Sequence, residues 1–141
     1  MKKKKVTERS QLALSRAQNW LQGAQRGKED QRWDDCVYNA QMAAEHAIKA
    51  LFLKLGIIYK RIHDVTDTFR NMTENEDLPK KFREKIPNIA DQIEELTEQR
   101  NLAGYGFEEG IAPDHFKEYA PIALDWATDI VTQVGNVLQE L

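Results

Sequence analysis

Long segments in which apolar residues recur every three or four positions make up most of the chain, and short polar segments with glycine or proline separate them. This spacing places the apolar side chains on one face of an α-helix, whereas a half-buried strand alternates at every second position. No stretch of the sequence alternates long enough to suggest a strand. The pattern predicts an all-α protein, an antiparallel up-and-down bundle of four main helices plus a short helix.

The first segment predicts a helix from Glu8 to Gln25. Its apolar side consists of Ala13, Ala17, Trp20, Leu21 and Ala24. Thr7 has the side chain of a helix N-cap, and Gly27 suits the left-handed residue that often ends a helix. We therefore expect the chain to turn in the polar stretch that follows, over residues 28–32.

The second segment predicts a helix from Trp33 to Leu55, closed by Gly56. One stripe consists of Val37, Ala44, Ile48, Leu51 and Leu55. A second stripe has only small side chains: Cys36, Ala40, Ala43, Ala47 and Ala50. Two apolar stripes need partners on two sides, and small side chains let a neighbouring backbone approach closely. This segment is therefore predicted to be the central helix of the bundle.

A short third helix is predicted after His63 and Asp64, followed by a polar loop over residues 71–78 and a basic turn over residues 79–85. The apolar side of the third helix consists of Ile62, Val65, Phe69 and Met72. Pro87 suits the first turn of a fourth helix, where its missing N–H is not needed. The apolar positions of the fourth helix are Ile89, Ile93, Leu96 and Ala103.

Gly104, Gly106 and Gly110 predict a flexible loop before the last helix. Asp114 is the expected N-cap of that helix, and Pro121 is expected to kink or divide it because proline removes a backbone hydrogen bond. The apolar stripe of the last helix consists of Phe116, Ala120, Ala123, Ala127, Ile130, Val134, Val137 and Leu141.

Length and composition narrow the class of protein. A chain of 141 residues is the size of one domain, which we expect to span residues 8–141 behind a basic tail of residues 1–7. The net charge of −3 argues against binding nucleic acid through overall charge, although a local basic surface remains possible. One cysteine excludes an internal disulfide, and no apolar run is long enough to span a membrane. We expect a cytoplasmic protein.

Arg100 is the first candidate for chemistry because it falls on the apolar side of the predicted fourth helix. A guanidinium there is costly unless it is paired or reaches water. Arg100 has a guanidinium that can donate two parallel hydrogen bonds, Asn101 has an amide and Tyr105 has a phenol. These groups suit recognition of a phosphate or a base. The alternative is an arginine that extends into solvent near the helix end, where backbone carbonyls attract a cation. The spacing of the residues permits both interpretations.

The remaining candidates are weaker. His63 and Asp64 could be a proton-transfer pair or an N-cap with its neighbour. His46 and His115 have no companions at the spacing of metal ligands, and no glycine-rich phosphate loop occurs, so we expect neither a metal nor a cofactor. Cys36 lies on an alanine-rich face and is interpreted as a small buried side chain. The lysines and arginine within residues 80–85 form a basic patch that could contact RNA.

The run from Asn39 to Gly56 closely resembles the central helix of HEPN domains (higher eukaryotes and prokaryotes nucleotide-binding). That family has an A-x-x-A-x-E-x-A-x-K-A-L pattern followed by a loop and a His-Asp pair. The matching positions are Ala40, Ala43, Glu45, Ala47, Lys49, Ala50 and Leu51, and then His63 and Asp64. The resemblance extends from about Ser10 to Val134.

The resemblance implies an antiparallel helical bundle, usually a homodimer, that binds nucleotides or RNA. Many members are encoded with a small nucleotidyltransferase partner and act in toxin–antitoxin or stress systems. Active members are metal-independent ribonucleases in which the arginine and histidine of an Arg-x4-6-His motif, from two protomers, face one cleft. By this resemblance the ligand-binding residues are Arg100, Asn101 and Tyr105, with Glu45, Lys49, His63 and Asp64 in supporting positions.

The sequence departs from that motif after Arg100. Tyrosine, glycine and phenylalanine occupy residues 105–107, where the family has histidine, and the next histidine is His115. The sequence therefore predicts a nucleotide- or RNA-binding homodimer with little or no catalysis, which could be the partner of a nucleotidyltransferase. One alternative is an endoribonuclease toxin that uses Arg100 with Tyr105, His63 or His115. Another is a helical adaptor that binds only protein.

Overall fold

The computed structural model describes residues 2–59 and 65–141, with side chains from residue 7 onward, and this part of the chain contains helices and no strands. The α-helices are α1 (Lys2–Glu29), α2 (Trp33–Leu55), α3 (Val65–Arg70), α4 (Lys80–Tyr105) and α5 (Tyr119–Glu140). Three 3₁₀ helices span Asn71–Glu74, Gly106–Glu109 and Pro113–Phe116. The predicted all-α bundle of four main helices and a short one is confirmed. Ile62, His63 and Asp64 lie outside the described residues.

Helix α2 is the centre of the bundle and contacts α1, α4 and α5, as its two apolar stripes predicted. Helix α1 runs antiparallel to α2. At one end the Ser10 hydroxyl donates a 2.8 Å hydrogen bond to the Ala50 carbonyl, and at the other end Gly27 lies against the backbone at Cys36. The small side chains of α2 are all fully buried, and the backbones of α1 and α2 approach closely at Gly27.

Helices α4 and α5 pack on other sides of α2. Thr97 of α4 bonds Gln41 while Gly104 lies beside Tyr38, so α4 is antiparallel to α2. The start of α5 lies near the start of α2, where the Ala120 carbonyl oxygen is 3.7 Å from the Cys36 Sγ. The core lies between these helices, and its largest fully buried side chains include Phe52, Phe69, Phe116, Ile48 and Leu51. No helix in the described residues is both long and apolar enough to cross a membrane.

Helix α1 is longer than its apolar pattern predicted, because it starts before Glu8 and ends at Glu29. Thr7 is therefore inside the helix and does not cap it. Gly27 is also helical, and the left-handed residue that turns the chain is Gln31, with φ of 62°. Gly27 serves a different purpose from the predicted one: its missing Cβ lets the α2 backbone pass close by.

The basic turn and the fourth helix of the prediction are one continuous helix, α4, which begins at Lys80 directly after Pro79. Pro87 lies inside it and not in its first turn. The proline is exposed, so the ring does not disturb the packing, although it costs one backbone hydrogen bond. Phe82 and Ile86 before Pro87 and Ile89 after it are buried in the core, and this packing keeps α4 continuous through the proline.

The predicted start of the last helix was also wrong. Asp114 lies in a 3₁₀ helix, and α5 begins only at Tyr119. Pro121 is consequently in the first turn of α5, where a backbone N–H has no partner within the helix, and no kink or division results. Between α4 and α5, Gly110 has a φ of 82°, which is the conformation that glycine adopts most readily.

Gly27 in α1 and Gly135 in α5 provide a test of the close α1–α2 contact. A Cβ at Gly27 would lie 3.1 Å from the backbone nitrogen of Cys36 and 3.3 Å from the carbonyl oxygen of Arg32, whereas at Gly135 it would meet nothing within 4 Å. We expect Gly27→Ala to lower the free energy of unfolding by about 1–2 kcal/mol. Gly135→Ala should raise it by about 0.5–1 kcal/mol, because alanine is the better helix former.

Urea unfolding followed by circular dichroism measures both effects. Equal stabilisation by the two substitutions would show that α1 can move away from α2 and that the close contact is not required.

Candidate functional site

The guanidinium of Arg100 reaches from α4 across to α2 and is held by neutral groups. Its Nη1 donates to the Gln41 Oε1 at 3.1 Å and lies 3.7 Å from the Met42 sulfur, while Nη2 donates to the Asn101 Oδ1 at 3.3 Å. Within residues 2–59 and 65–141, no carboxylate pairs with it. The partly buried charge is therefore oriented by hydrogen bonds but not neutralised.

Other arginines of the bundle are arranged differently. Arg32 lies 3.3 and 2.7 Å from two aspartate carboxylates, and Arg70 lies 2.7 and 2.8 Å from an aspartate and a glutamate. Each of these side chains already has two anionic partners. Arg100 has no anionic partner among the described residues, so a bound anion would be the first group to neutralise its charge.

Gln41 fixes the position of the Arg100 guanidinium. Its side chain is only 1% exposed, and its Nε2 donates to the Thr97 hydroxyl at 3.3 Å. That hydroxyl in turn donates to the Ile93 carbonyl at 2.8 Å. With the amide nitrogen engaged on this side, the amide oxygen faces Arg100. Gln41 was not among the residues predicted from the sequence, although a glutamine within the apolar pattern of α2 was a visible signal.

One side of α2 stays partly open to solvent between α1 and α4. We call this surface the α2 face; it consists of Trp20 from α1, Tyr38, Met42, His46 and Lys49 from α2, and Arg100 from α4. The ring centre of Trp20 is 6.5 Å from that of Tyr38 and 6.1 Å from that of His46. The α2 face thus combines two large aromatic rings and an imidazole with the unneutralised guanidinium of Arg100.

Two guanidinium groups border the α2 face. The guanidinium of Arg16 lies 5.6 Å from the centre of the Trp20 ring, and Arg100 stands on the opposite side of the face. The predicted supporting residues Glu45 and Lys49 form an ion pair at 3.6 Å and largely cancel each other. The arrangement favours binding of an anion that also carries aromatic groups, as a nucleic acid does.

The other predicted ligand residues are only partly brought together. Asn101 is exposed and accepts the hydrogen bond from Arg100. Tyr105 is 68% exposed at the end of α4, and among the described residues no hydrogen bond joins its side chain to Arg100 or Asn101. His63 and Asp64 fall outside the described residues. His115 is exposed and packs edge-on against Phe116, with a ring separation of 5.0 Å.

A cavity of about 420 Å³ lies beside the α2 face, where α2 starts and α4 ends. It is lined by Asp34, Asp35, Tyr38, Ala103, Gly104, Phe107, Ile111, Pro113 and Phe116. The two carboxylates would repel a phosphate group, so the cavity is a poor anion site. No cluster of three metal-binding side chains occurs in the part of the chain that the structure describes.

Cys36 is fully buried, and its Sγ lies 3.7 Å from the Ala120 carbonyl oxygen, where α2 meets α5. Burial raises the pKa of the Cys36 thiol to about 11. The thiol therefore stays protonated at neutral pH and is no nucleophile, since only the thiolate reacts readily. The interpretation of Cys36 as a small buried side chain is confirmed.

Comparison with known families matches residues 10–138 of the chain to the HEPN domain. This match spans the fold from α1 to α5. A protein of Methanocaldococcus jannaschii named "Putative toxin MJ1304" is 29% identical over 136 residues. The alignment covers 93% of this chain and 89% of that relative.

Burial of Cys36 predicts slow reaction with thiol reagents. With a pKa of about 11 against an ordinary value of 9.0, the thiolate is about 100-fold scarcer in the folded protein than in the unfolded chain near pH 8. We expect labelling by 5,5′-dithiobis(2-nitrobenzoate) to be at least 100-fold slower in buffer than in concentrated urea. Equal rates in the two solvents would contradict the buried position of the thiol.

Proposed function

This chain belongs to the HEPN domain family, and from that membership we propose that it binds RNA through the α2 face, with Arg100 as the phosphate-binding residue. The observation that carries the proposal is the partly buried guanidinium of Arg100, whose partners among the described residues are all neutral. Such a group retains its full charge for a ligand.

The surroundings of Arg100 support this role. The hydrogen bonds from Arg100 to Gln41 and Asn101 orient the forked donor before any ligand arrives, which lowers the entropy lost on binding. Guanidinium groups bind phosphate through two parallel N–H bonds. Trp20 and Tyr38 provide aromatic rings for stacking with unpaired bases. The expected ligand is therefore single-stranded RNA and not a duplex.

We also propose that two copies of the chain form the working unit. Tyr105 and Phe107 at the end of α4 are 68% and 70% exposed in the single chain. Aromatic side chains that are open to water at neighbouring positions are typical of interaction surfaces. A second copy packed here would cover them and would bring Asn101 and Tyr105 into a shared cleft near Arg100.

RNA cleavage is a second candidate function. It is favoured by the similarity to the relative from Methanocaldococcus jannaschii, whose name describes a toxin. Binding by Arg100 is common to both candidates, and cleavage requires in addition a group that accepts a proton.

Replacement of Arg100 tests the binding site. We expect Arg100→Gln to weaken binding of a fluorescent single-stranded RNA at least tenfold in an anisotropy titration, since a charge-assisted phosphate contact is lost. Arg70→Gln is the matched control, because it removes the same charge where two carboxylates already neutralise it. The control should leave affinity nearly unchanged, whereas Arg100→Gln should also reduce the slope of log K against log salt by about 0.7.

The basic patch at the start of α4 is the competing site. Lys81 there is exposed, and Lys81→Gln removes one charge from it. If Lys81→Gln weakens RNA binding and folded Arg100→Gln does not, the α2 face is the wrong site.

Sedimentation velocity tests the dimer. We expect the wild-type chain to sediment as a dimer and a Tyr105→Ser/Phe107→Ser double variant to shift toward monomer, with its circular dichroism unchanged. Ile58→Ser is the control, because Ile58 is 95% exposed but lies in the segment after α2. A monomeric wild type, or loss of the dimer only with Ile58→Ser, would be evidence against an interface at the end of α4.

A further inference from the structure

A groove of about 290 Å³ lies between the start of α4 and the end of α5. We call it the α4–α5 groove. Lys80, Lys81 and Lys85 of α4 line it with exposed side chains. Phe82 of α4 and Val137 of α5, which are 4% and 7% exposed, give it an apolar floor. None of these residues belongs to the α2 face.

The lysines of the α4–α5 groove have no ionic partner in the part of the chain that the structure describes. Each ion pair there involves other residues, and none includes Lys80, Lys81 or Lys85. Glu140 is the one carboxylate among the described lining residues, against three ammonium groups. Like charges held together without counter-charges repel one another. A bound anionic group would relieve this repulsion.

The groove continues along α5 as a half-buried apolar surface. Tyr119, Ile122 and Trp126 are spaced three and four residues apart, so they share one side of the helix. The rings of Tyr119 and Trp126 pack edge to face with their centres 6.1 Å apart, and Ile122 is 46% exposed. Gln133 follows Trp126 by two helical turns on the same side and lines the groove. One side of α5 therefore joins an exposed apolar residue to the basic groove.

The other end of this surface is acidic. Burial raises the pKa of Tyr119, and the charges of Glu95 and Glu98 on α4 raise it further. The start of α5 therefore lies beside the later part of α4, while Gln133 lies beside the start of α4. The surface thus changes from basic at Lys81 to acidic at Glu95. A long polyanion such as RNA would be attracted at one end and repelled at the other.

Two side chains along this surface have a polar atom without a hydrogen-bond partner. The Tyr119 Oη and the Gln133 Oε1 are shielded from solvent, and neither is hydrogen-bonded within the described residues. The Gln133 Nε2 donates to Asp129, so the amide oxygen is the unused atom. Buried polar atoms without partners are costly. A ligand with N–H donors would satisfy them after a small side-chain rotation. A peptide backbone has such donors, whereas the phosphates of RNA have none.

We infer that the α4–α5 groove is a docking site for an acidic segment of a protein partner. Carboxylates of the segment pair with Lys81 and Lys85, and an apolar side chain of the segment packs on Ile122 and Trp126. The distance along α5 to Gln133 is roughly 10 Å from Trp126 and roughly 16 Å from Ile122. About three turns of helix, or about five extended residues, span this length. The inference does not depend on RNA binding by Arg100.

A model peptide tests the chemistry of the groove. The probe is a fluorescein-labelled peptide of about 16 residues in which pairs of leucine alternate with pairs of glutamate, long enough for about four helical turns. The control peptide has glutamine in place of every glutamate. We expect the wild-type chain to bind the acidic peptide at least tenfold more tightly than the control in an anisotropy titration, because only the acidic peptide can pair with the lysines.

Substitution of the lysines locates the binding site. We expect Lys81→Gln/Lys85→Gln to weaken binding of the acidic peptide at least fivefold, since two ionic contacts are lost. Arg26→Gln/Lys28→Gln is the matched control, because it removes two positive charges from exposed side chains at the end of α1. The control should bind the peptide within twofold of wild type. Circular dichroism verifies that both double variants are folded.

Substitution of Ile122 tests the apolar part of the surface. We expect Ile122→Gln to weaken peptide binding about threefold, because burial of its side chain under the peptide is lost. Leu12→Gln is the control, since Leu12 is 67% exposed on α1. Equal effects of the two substitutions would contradict a contact at Ile122.

Single-stranded RNA separates this inference from the proposed function. The Lys81→Gln/Lys85→Gln variant should bind RNA within twofold of wild type, because Arg100 is intact. Loss of RNA affinity with unchanged peptide affinity would make the groove a nucleic-acid site and overturn the inference. A wild type that does not bind the acidic peptide, or equal weakening by the two double variants, would also overturn it and leave the proposed RNA site untouched.

Discussion

The close contact between α1 and α2 is the constraint on which the rest of the bundle depends. It requires a stripe of fully buried small side chains on α2 and a glycine, Gly27, on α1. With α1 held so near on one side, and with α4 and α5 on two others, α2 has one side left that remains partly open to solvent. The α2 face is that side, and its position between α1 and α4 follows from the packing of these helices on α2.

A neutral amide, and not a carboxylate, holds the most important charge of the α2 face. Had the chain placed an acid where Gln41 stands, the guanidinium of Arg100 would be part of an internal ion pair. The buried amide instead orients the group through a chain of hydrogen bonds and leaves its charge for a ligand. A satisfied buried polar chain of this kind also disfavours alternative packings of α4 on α2, since each would leave polar atoms without partners.

Prediction from the sequence succeeded where a side chain acts within its own helix and was wrong where it acts between helices. The bounds of α2 and its end at Gly56 follow from local pattern and backbone preference. Gly27 and Pro87 were misread, because their local preferences point to helix ends while the packing of neighbouring helices keeps both positions helical. At the candidate site, Arg100 stood out as a charge in an apolar stripe, but the importance of Gln41 depends on a neighbour from another helix.

By itself, the sequence determined the fold class, the central position of α2 and the presence of an arginine that needed an explanation, since each of these depends on periodicity along one helix. Only the tertiary structure decided what surrounds that arginine. Gln41 and Arg100 lie 59 residues apart along the chain, and nothing in the local spacing of either residue records that α4 crosses α2 where it does. The crossing depends on how buried side chains from several helices pack together. The pattern of a single helix therefore does not predict it.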